Sequence, residues 1–418
     1  MISGIITSWG GPDEGEPPAS AEPFLPPESG PHAAHLEDLT LSLVSEARGL
    51  AAQLHPLVTE QIGNLVRAMN CYYSNLIEGH YTHPIDIERA LKRDLVADPK
   101  RRALQLEAAA HIAVQAELDA APSEAEGAPA ALSWAFAEGL HQRFCNLLPE
   151  ELLWVDDPVS GARLRVVPGA PRHQHVQVGR HVAPSPGSLP RFLARFDQAY
   201  APSRLSRLRR IIAVGAAHHR FLWVHPFLDG NGRVARLMSH AALREAGVGN
   251  ALWSVARGLA RRSGEYKRLL MEADAPRAGD LDGRGALSES ALARLCVFFL
   301  STCVDQVRFM AGLIQPSALR ARVEAWAATE ARAGRLHARA GALLREVLIE
   351  GEVPRGRVPE VVNLGERAAR NVVAGLIERG ALTAASPKAP LRLAIRADFA
   401  EAWFPGLYPA MPDAPPAS

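Results

Sequence analysis

The chain has 418 residues, and its 46 Lys and Arg against 45 Asp and Glu leave a net charge of +1, which argues against whole-molecule attraction to nucleic acid or membrane. That length predicts two or three domains, and 48% hydrophobic residues suffice for a large core. Four scattered cysteines, Cys71, Cys145, Cys296 and Cys303, lack zinc-ligand spacing and fit a reducing, cytoplasmic setting. No apolar run reads as membrane-spanning, and residues 1–10 lack the basic start of a signal peptide.

Residues 1–35 are rich in Pro, Gly, Glu and Ser and read as a disordered tail, apart from the apolar patch at 2–9. Residues 36–130 read as a helical region. Its strongest helix is 57–78, where Val58, Ile62, Leu65, Met69, Tyr72 and Leu76 recur every three or four positions. Gly79 suits the position just past the helix end. The end reads Ser74-Asn75-Leu76-Ile77-Glu78-Gly79. A carboxylate there opposes the helix dipole, and alone it reads as a solvated glutamate. A further helix is expected from about 85, capped near Thr82, and another over 102–118. Residues 119–130, rich in Ala, Pro, Glu and Gly, read as a linker. His80 and His83 flank Tyr81 with no evident third ligand, so no metal site is assigned.

Residues 131–315 read as the next domain. Leu132, Phe136, Leu140, Phe144 and Leu147 make one helical stripe, followed by a loop over 149–158. Between 163 and 182 the pattern turns β-like: Leu164, Val166 and Val167, then Val176, Val178 and Val182, flank Pro-Gly-Ala-Pro. The spacing predicts a β-hairpin with His173, His175 and His181 exposed on it. Arg204, Arg207, Arg209 and Arg210 open the next helix as a solvated face.

That helix runs into residues 225–236, His-Pro-Phe-Leu-Asp-Gly-Asn-Gly-Arg-Val-Ala-Arg. Pro226 ends it near His225. Gly230, Asn231 and Gly232 can take positive φ and turn backbone N–H groups one way, a ready anion site at a helix start. Arg233 and Arg236, three apart, share a helix face and can fork onto phosphate oxygens. Asp229 beside that cradle is a natural Mg²⁺ ligand. His225 can take a proton from an attacking hydroxyl. Alone, the His-Pro pair is a helix end and Gly-Asn-Gly a turn; in this order the parts suit transfer from a nucleoside triphosphate to a hydroxyl. His218, two turns before His225, reads as a core or supporting histidine. Tyr266 reads equally as a wall of a base pocket or as core. Residues 280–285 resemble a calcium loop only superficially. The domain's last helix is expected over 288–313.

Residues 316–398 form the last expected unit: helices at 336–350, 354–362 and 366–379, then two strands within 381–395 around Pro387-Lys388-Ala389-Pro390. Residues 399–418 read as a Pro-rich tail.

The dodecamer at 225–236 resembles the signature of the Fic family, His-x-Phe-x-Asp/Glu-Gly-Asn-Gly-Arg-x-x-Arg, with every specified position filled. The resemblance implies a mainly α fold: a Fic-type helical core with a β-hairpin flap, plus a small C-terminal winged-helix domain. It also implies transfer of AMP from ATP to a Ser, Thr or Tyr hydroxyl of a target protein. By it His225 is the base, Asp229 holds Mg²⁺, and Gly230, Asn231 and Gly232 shape the anion hole. Arg233 and Arg236 bind the distal phosphates. In the related Doc kinases a lysine stands where Gly232 stands here, so glycine favours nucleotidyl transfer. Ser74, Glu78 and Gly79 resemble the family's inhibitory motif, in which Glu78 would pair with Arg236 and keep it from the γ-phosphate. The hairpin corresponds to the flap that holds a target segment by strand-like pairing. In the winged helix, Arg367 and Arg370 would face a DNA groove and Lys388 and Arg392 its phosphates, or the same fold would dock protein. Removal of AMP, a nucleotide-sensing DNA-binding regulator, self-modification and a homodimer stay open; no membrane partner is expected.

Overall fold

The structure is a computed structural model that describes residues 11–122, 127–157 and 161–408. Among these residues helix dominates, with seven strands of two or three residues each. The first helices are α1 (Ala33–Ala51), α2 (Pro56–Ile77), α3 (Pro84–Leu91) and α4 (Pro99–Ala120). Helices α2 and α3 open on proline at the first turn, and the preceding His55 and His83 accept a backbone N–H through their side chains. The cap of α3 is therefore His83, next to Thr82 as expected. Helix α4 opens on Asp98, whose carboxylate accepts from Arg101 N.

The middle of the chain contributes α5 (Trp134–Asn146), α6 (Leu189–Tyr200), α7 (Arg207–Val224) and α8 (Asn231–Glu245). It continues with α9 (Val255–Arg261), α10 (Ser263–Ala273) and α11 (Glu289–Ile314). Helices α7 and α11 are the centre. Both are buried over most of their length, and α1, α8, α9 and α10 pack around them. Helix α11 is long and apolar enough to cross a membrane by length and composition, against the expectation of no such run; 61% of its most apolar window is buried in this core.

Between α5 and α6 lie two short antiparallel hairpins, not one. β1 (Trp154–Asp156) pairs with β2 (Arg163–Arg165), and β3 (Gln177–Val178) pairs with β4 (His181–Val182). The region expected as a loop at 149–158 supplies β1, and Pro-Gly-Ala-Pro links the two hairpins instead of turning one. The sequence pattern misled because each strand is only two or three residues long, too few for alternation to fix one register.

The C-terminal part adds α12 (Pro316–Arg332), α13 (Ala340–Glu350), β5 (Glu352–Val353), α14 (Val358–Val362) and α15 (Glu366–Glu378). It ends with β6 (Leu382–Thr383), β7 (Leu391–Leu393) and α16 (Ala397–Trp403). The strands form one sheet in the order β5-β7-β6. Glu352 and Val353, unassigned from sequence, are the third strand.

Two stretches expected to be loose are packed, and a third is packed only at its first residues. Within the tail predicted at 1–35, residues 11–31 run across α6 and α7: Ala21 and Phe24 are buried, Tyr200 Oη donates to Phe24 O at 2.6 Å, and Arg220 Nε donates to Pro23 O at 2.9 Å. The patch at 2–9 lies outside the described residues. The linker predicted at 119–130 begins inside α4, where buried Asp119 pairs with Arg67 at 2.9 Å and His240 at 2.8 Å. In the tail predicted at 399–418, Phe399, Trp403, Phe404 and Leu407 are buried; residues 409–418 lie outside the described residues. Pro- and Gly-rich composition lowers helix content without preventing burial of the few aromatics it carries.

Candidate active site

Helix α7 ends at Val224, and His225 follows as its cap in the left-handed region, φ 49° and ψ 59°. That conformation costs a non-glycine residue roughly 1 kcal/mol or more, so the surroundings must hold it. Arg172, buried in the segment between the hairpins, does so. Its Nε donates to His225 O at 2.7 Å, its Nη2 to Pro184 O at 2.6 Å and its Nη1 to Gln174 O at 2.7 Å. Its own backbone N–H donates to Pro226 O at 2.8 Å. Burial lowers the Arg172 pKa to about 10, which leaves it charged at neutral pH.

The loop 226–230 is closed by Asn231. Its Oδ1 accepts from Phe227 N at 3.0 Å and its Nδ2 donates to Phe227 O at 2.8 Å. Phe227 is buried, with the His141 ring stacked on it at 3.9 Å. His141 Nδ1 accepts from Gly169 N at 2.9 Å, and burial lowers this histidine's pKa to about 4. Of the three residues expected to take positive φ, only Gly230 does, at φ 82°. Asn231 and Gly232 already belong to α8. Their N–H groups are at the open start of that helix, where an anion is stabilised by unpaired donors and the helix dipole.

His225 Nδ1 lies 3.2 Å from Leu222 O. A carbonyl only accepts, so Nδ1 carries the proton and Nε2 keeps its lone pair. Burial lowers the pKa of this imidazole to about 4, so it is neutral and able to accept a proton at neutral pH. Asp229 is exposed on the loop. Among the described residues no cluster of three His, Cys, Asp or Glu could hold a metal. A single exposed carboxylate still fits Mg²⁺, which keeps waters and takes its other oxygens from substrate phosphates.

The two arginines are engaged. Arg236 donates from Nη2 to Glu78 Oε1 at 2.6 Å and from Nε to Ser74 Oγ at 2.8 Å. Glu78 caps the C-terminus of α2, and Gly79 follows at φ 84°. Burial pushes the Glu78 pKa up, but the Arg236 guanidinium outweighs it, helped by Arg233 and His80, and the net shift is downward. A Cβ on Gly232 would collide with Glu78 Oε1, so glycine there leaves room for the glutamate. Arg233 pairs with Glu107 of α4.

His218 donates or accepts at Ser239 Oγ, 3.0 Å, and Tyr266 Oη, 2.6 Å. Tyr266 is buried. His181 packs on Trp223 and bonds its carbonyl at 2.7 Å, so this hairpin histidine is not exposed in the way expected. Sequence reading missed Arg172, His141 and Glu107. None stands in a recognisable local pattern, and each matters only through what the fold brings to it.

Residues 139–243 match the Fic/DOC family. A protein adenylyltransferase Fic of Drosophila erecta is 36% identical over 91 residues, 22% of this chain and 17% of that protein. One of Drosophila persimilis is 37% identical over 91 residues, 22% of this chain and 16% of that protein. The matched part thus spans under a fifth of these curated relatives. Among solved structures, a Fic family protein from Desulfovibrio desulfuricans G20 superposes with a TM-score of 0.51 at 19% identity, covering 88% of this chain and 98% of the other. Fic-1 of C. elegans superposes with a TM-score of 0.51 at 17% identity, covering 68% and 74%. These two likenesses concern the fold alone.

Proposed function

We propose that the chain is a protein adenylyltransferase that moves AMP from ATP to a Ser, Thr or Tyr hydroxyl of a target protein, with Glu78 as its brake. The observation that carries this reading is the state of His225: a neutral imidazole with a bare Nε2, on the loop that leads into the α8 N-terminus. The adenylyltransferase relatives of residues 139–243 support the same reaction. In the step, the target oxygen attacks the α-phosphorus and its proton passes to His225 Nε2. The bond from the α-phosphorus to the bridging oxygen breaks and pyrophosphate leaves. Gly230, Asn231 and Gly232 offer the helix start to the phosphates, and Arg233 and Arg236 neutralise the distal ones. Asp229 would hold Mg²⁺, which when bound supplies further neutralisation of phosphate charge.

Glu78 on Arg236 takes the place a γ-phosphate needs, so the resting chain binds ATP without productive geometry. Gly232, where the related Doc kinases carry a lysine, weighs against γ-phosphoryl transfer. Removal of AMP, with Glu78 orienting a water, is the reverse use of the same residues. The order helix, strand, two helices and hairpin over α13 to β7 supports a winged helix. Two of the four cations that DNA binding would use lie in surface ion pairs, Arg370 with Glu366 at 2.9 Å and Arg392 with Glu352 at 2.8 Å, and the same fold serves DNA or protein docking. The buried free cysteines support a cytoplasmic location.

The test uses wild type, Glu78→Gly, and Glu78→Gly with His225→Ala, each given Mg²⁺ and ATP labelled at the α-phosphate, alone and with cell lysate. Protein-bound label should rise with Glu78→Gly and vanish with His225→Ala. No label in any form, with ATP binding intact, would move the reading to AMP removal or nucleotide sensing.

A further inference from the structure

Arg233 stands at the third position of α8, one turn before Arg236. Its side chain is only 9% exposed and meets the Glu107 carboxylate, which is 16% exposed. The guanidinium lies 5.1 Å over the Phe144 ring, and its Nε is buried with no hydrogen-bond partner among the described residues. Glu107 comes from α4, a different helix from the one that delivers Glu78. His80, two residues beyond Glu78, brings Nδ1 to 3.7 Å from Glu107 Oε2. The site therefore holds two arginines and two carboxylates, each arginine met by a carboxylate from its own N-terminal helix.

A buried ion pair is a poor way to stabilise a fold, because desolvation offsets most of the attraction. An apolar pair beside Phe144 would hold α4 to α8 at least as well. What the carboxylate does change is the charge that Arg233 can offer to an anion. Arg236 becomes available when Glu78 leaves, but Arg233 stays compensated by Glu107.

We propose that Glu107 is a second carboxylate setting the affinity for the triphosphate: it cancels Arg233 as Glu78 cancels Arg236, and full ATP binding requires both to give way. This rests on the reading that Arg233 and Arg236 receive the β- and γ-phosphates. It assigns the two helices separate controls. A signal that moves α2 alone releases one arginine and leaves the site at partial affinity.

The experiment compares Glu78→Gly with Glu78→Gly/Glu107→Gln in the full chain, by calorimetric titration with ATP and with AMP, and by transfer of α-labelled phosphate. Glutamine keeps the shape of the side chain and an oxygen for Arg233, and removes only the charge. ATP should bind the double variant roughly tenfold more tightly, with AMP, which lacks the distal phosphates, little changed. Glu107→Ala in the same background should act in the same direction, which covers a failure of either variant to fold. ATP binding that is unchanged or weaker in the double variant would show that Glu107 only positions Arg233, and would overturn the proposal. Equal tightening for AMP would overturn it too, because the effect would then be a general field rather than a contact at the distal phosphates. Tighter ATP binding with no transfer by any variant would sustain Glu107's role and sink the transferase reading alone.

Discussion

Two neighbours fix His225. Leu222 O selects the tautomer, and Arg172 holds the backbone in the left-handed region. Burial then lowers the imidazole pKa from 6.5 to about 4. A base whose pKa is lowered is deprotonated, and competent, at every pH above that value. In the Glu78→Gly background, kcat/KM for transfer should therefore stay level down to about pH 5 and fall only below it. An acid limb centred near 6.5 would show that the imidazole is not desolvated in the working enzyme. At the same scale, the Glu78–Arg236 contact was legible from sequence as a resemblance, whereas Glu107 on Arg233 was not. Glu107 lies 126 positions from Arg233, in a helix whose sequence carries no motif.

At the scale of elements, the functional loop is a junction between two helices rather than an independent turn. Proline at 226 and glycine at 230 stop α7 and start α8, and Asn231 closes the space between them with two hydrogen bonds to one residue. The segment between the hairpins supplies the outer support through Arg172. Arg172→Leu would strip donors from the carbonyls of His225, Pro184 and Gln174 in a largely dry site. It should cost about 3 kcal/mol of stability, seen as a lowered midpoint in denaturant. Transfer should slow by more than ATP binding weakens, since the base moves while the α8 N-terminus stays. An unchanged midpoint would mean that water replaces the guanidinium. The hairpins show where periodicity fails: strands of two or three residues give too few positions for alternation to fix register.

For the whole molecule, residues 11–31 and 399–408 are parts of the core. Residues 11–31 cross α6 and α7, where Phe24 is 2% exposed. On the C-terminal side, Tyr73 of α2 donates to Leu407 O at 3.0 Å, and Tyr72 meets the Tyr408 ring edge-on at 5.6 Å. The helix that carries Glu78 is thus clamped by the end of the described chain. Phe24→Ala should destabilise by about 3 kcal/mol, measured by chemical denaturation. A change near zero would mean that this segment detaches without consequence for the body.

The sequence by itself determined the helical character, the helix–loop–helix junction at 225–236 with His225, Gly230 and the arginine pair in place, and the end of α2 at Glu78. These depend on residues close together in the chain, where proline, glycine and three- or four-residue spacing act through local geometry. Only the tertiary structure decided that 11–31 and 399–408 are packed, that Arg172 holds the backbone at His225, and that Glu107 meets Arg233. Burial and ion pairing are set by which surfaces meet, and a residue's composition of neighbours in sequence says little about its neighbours in space.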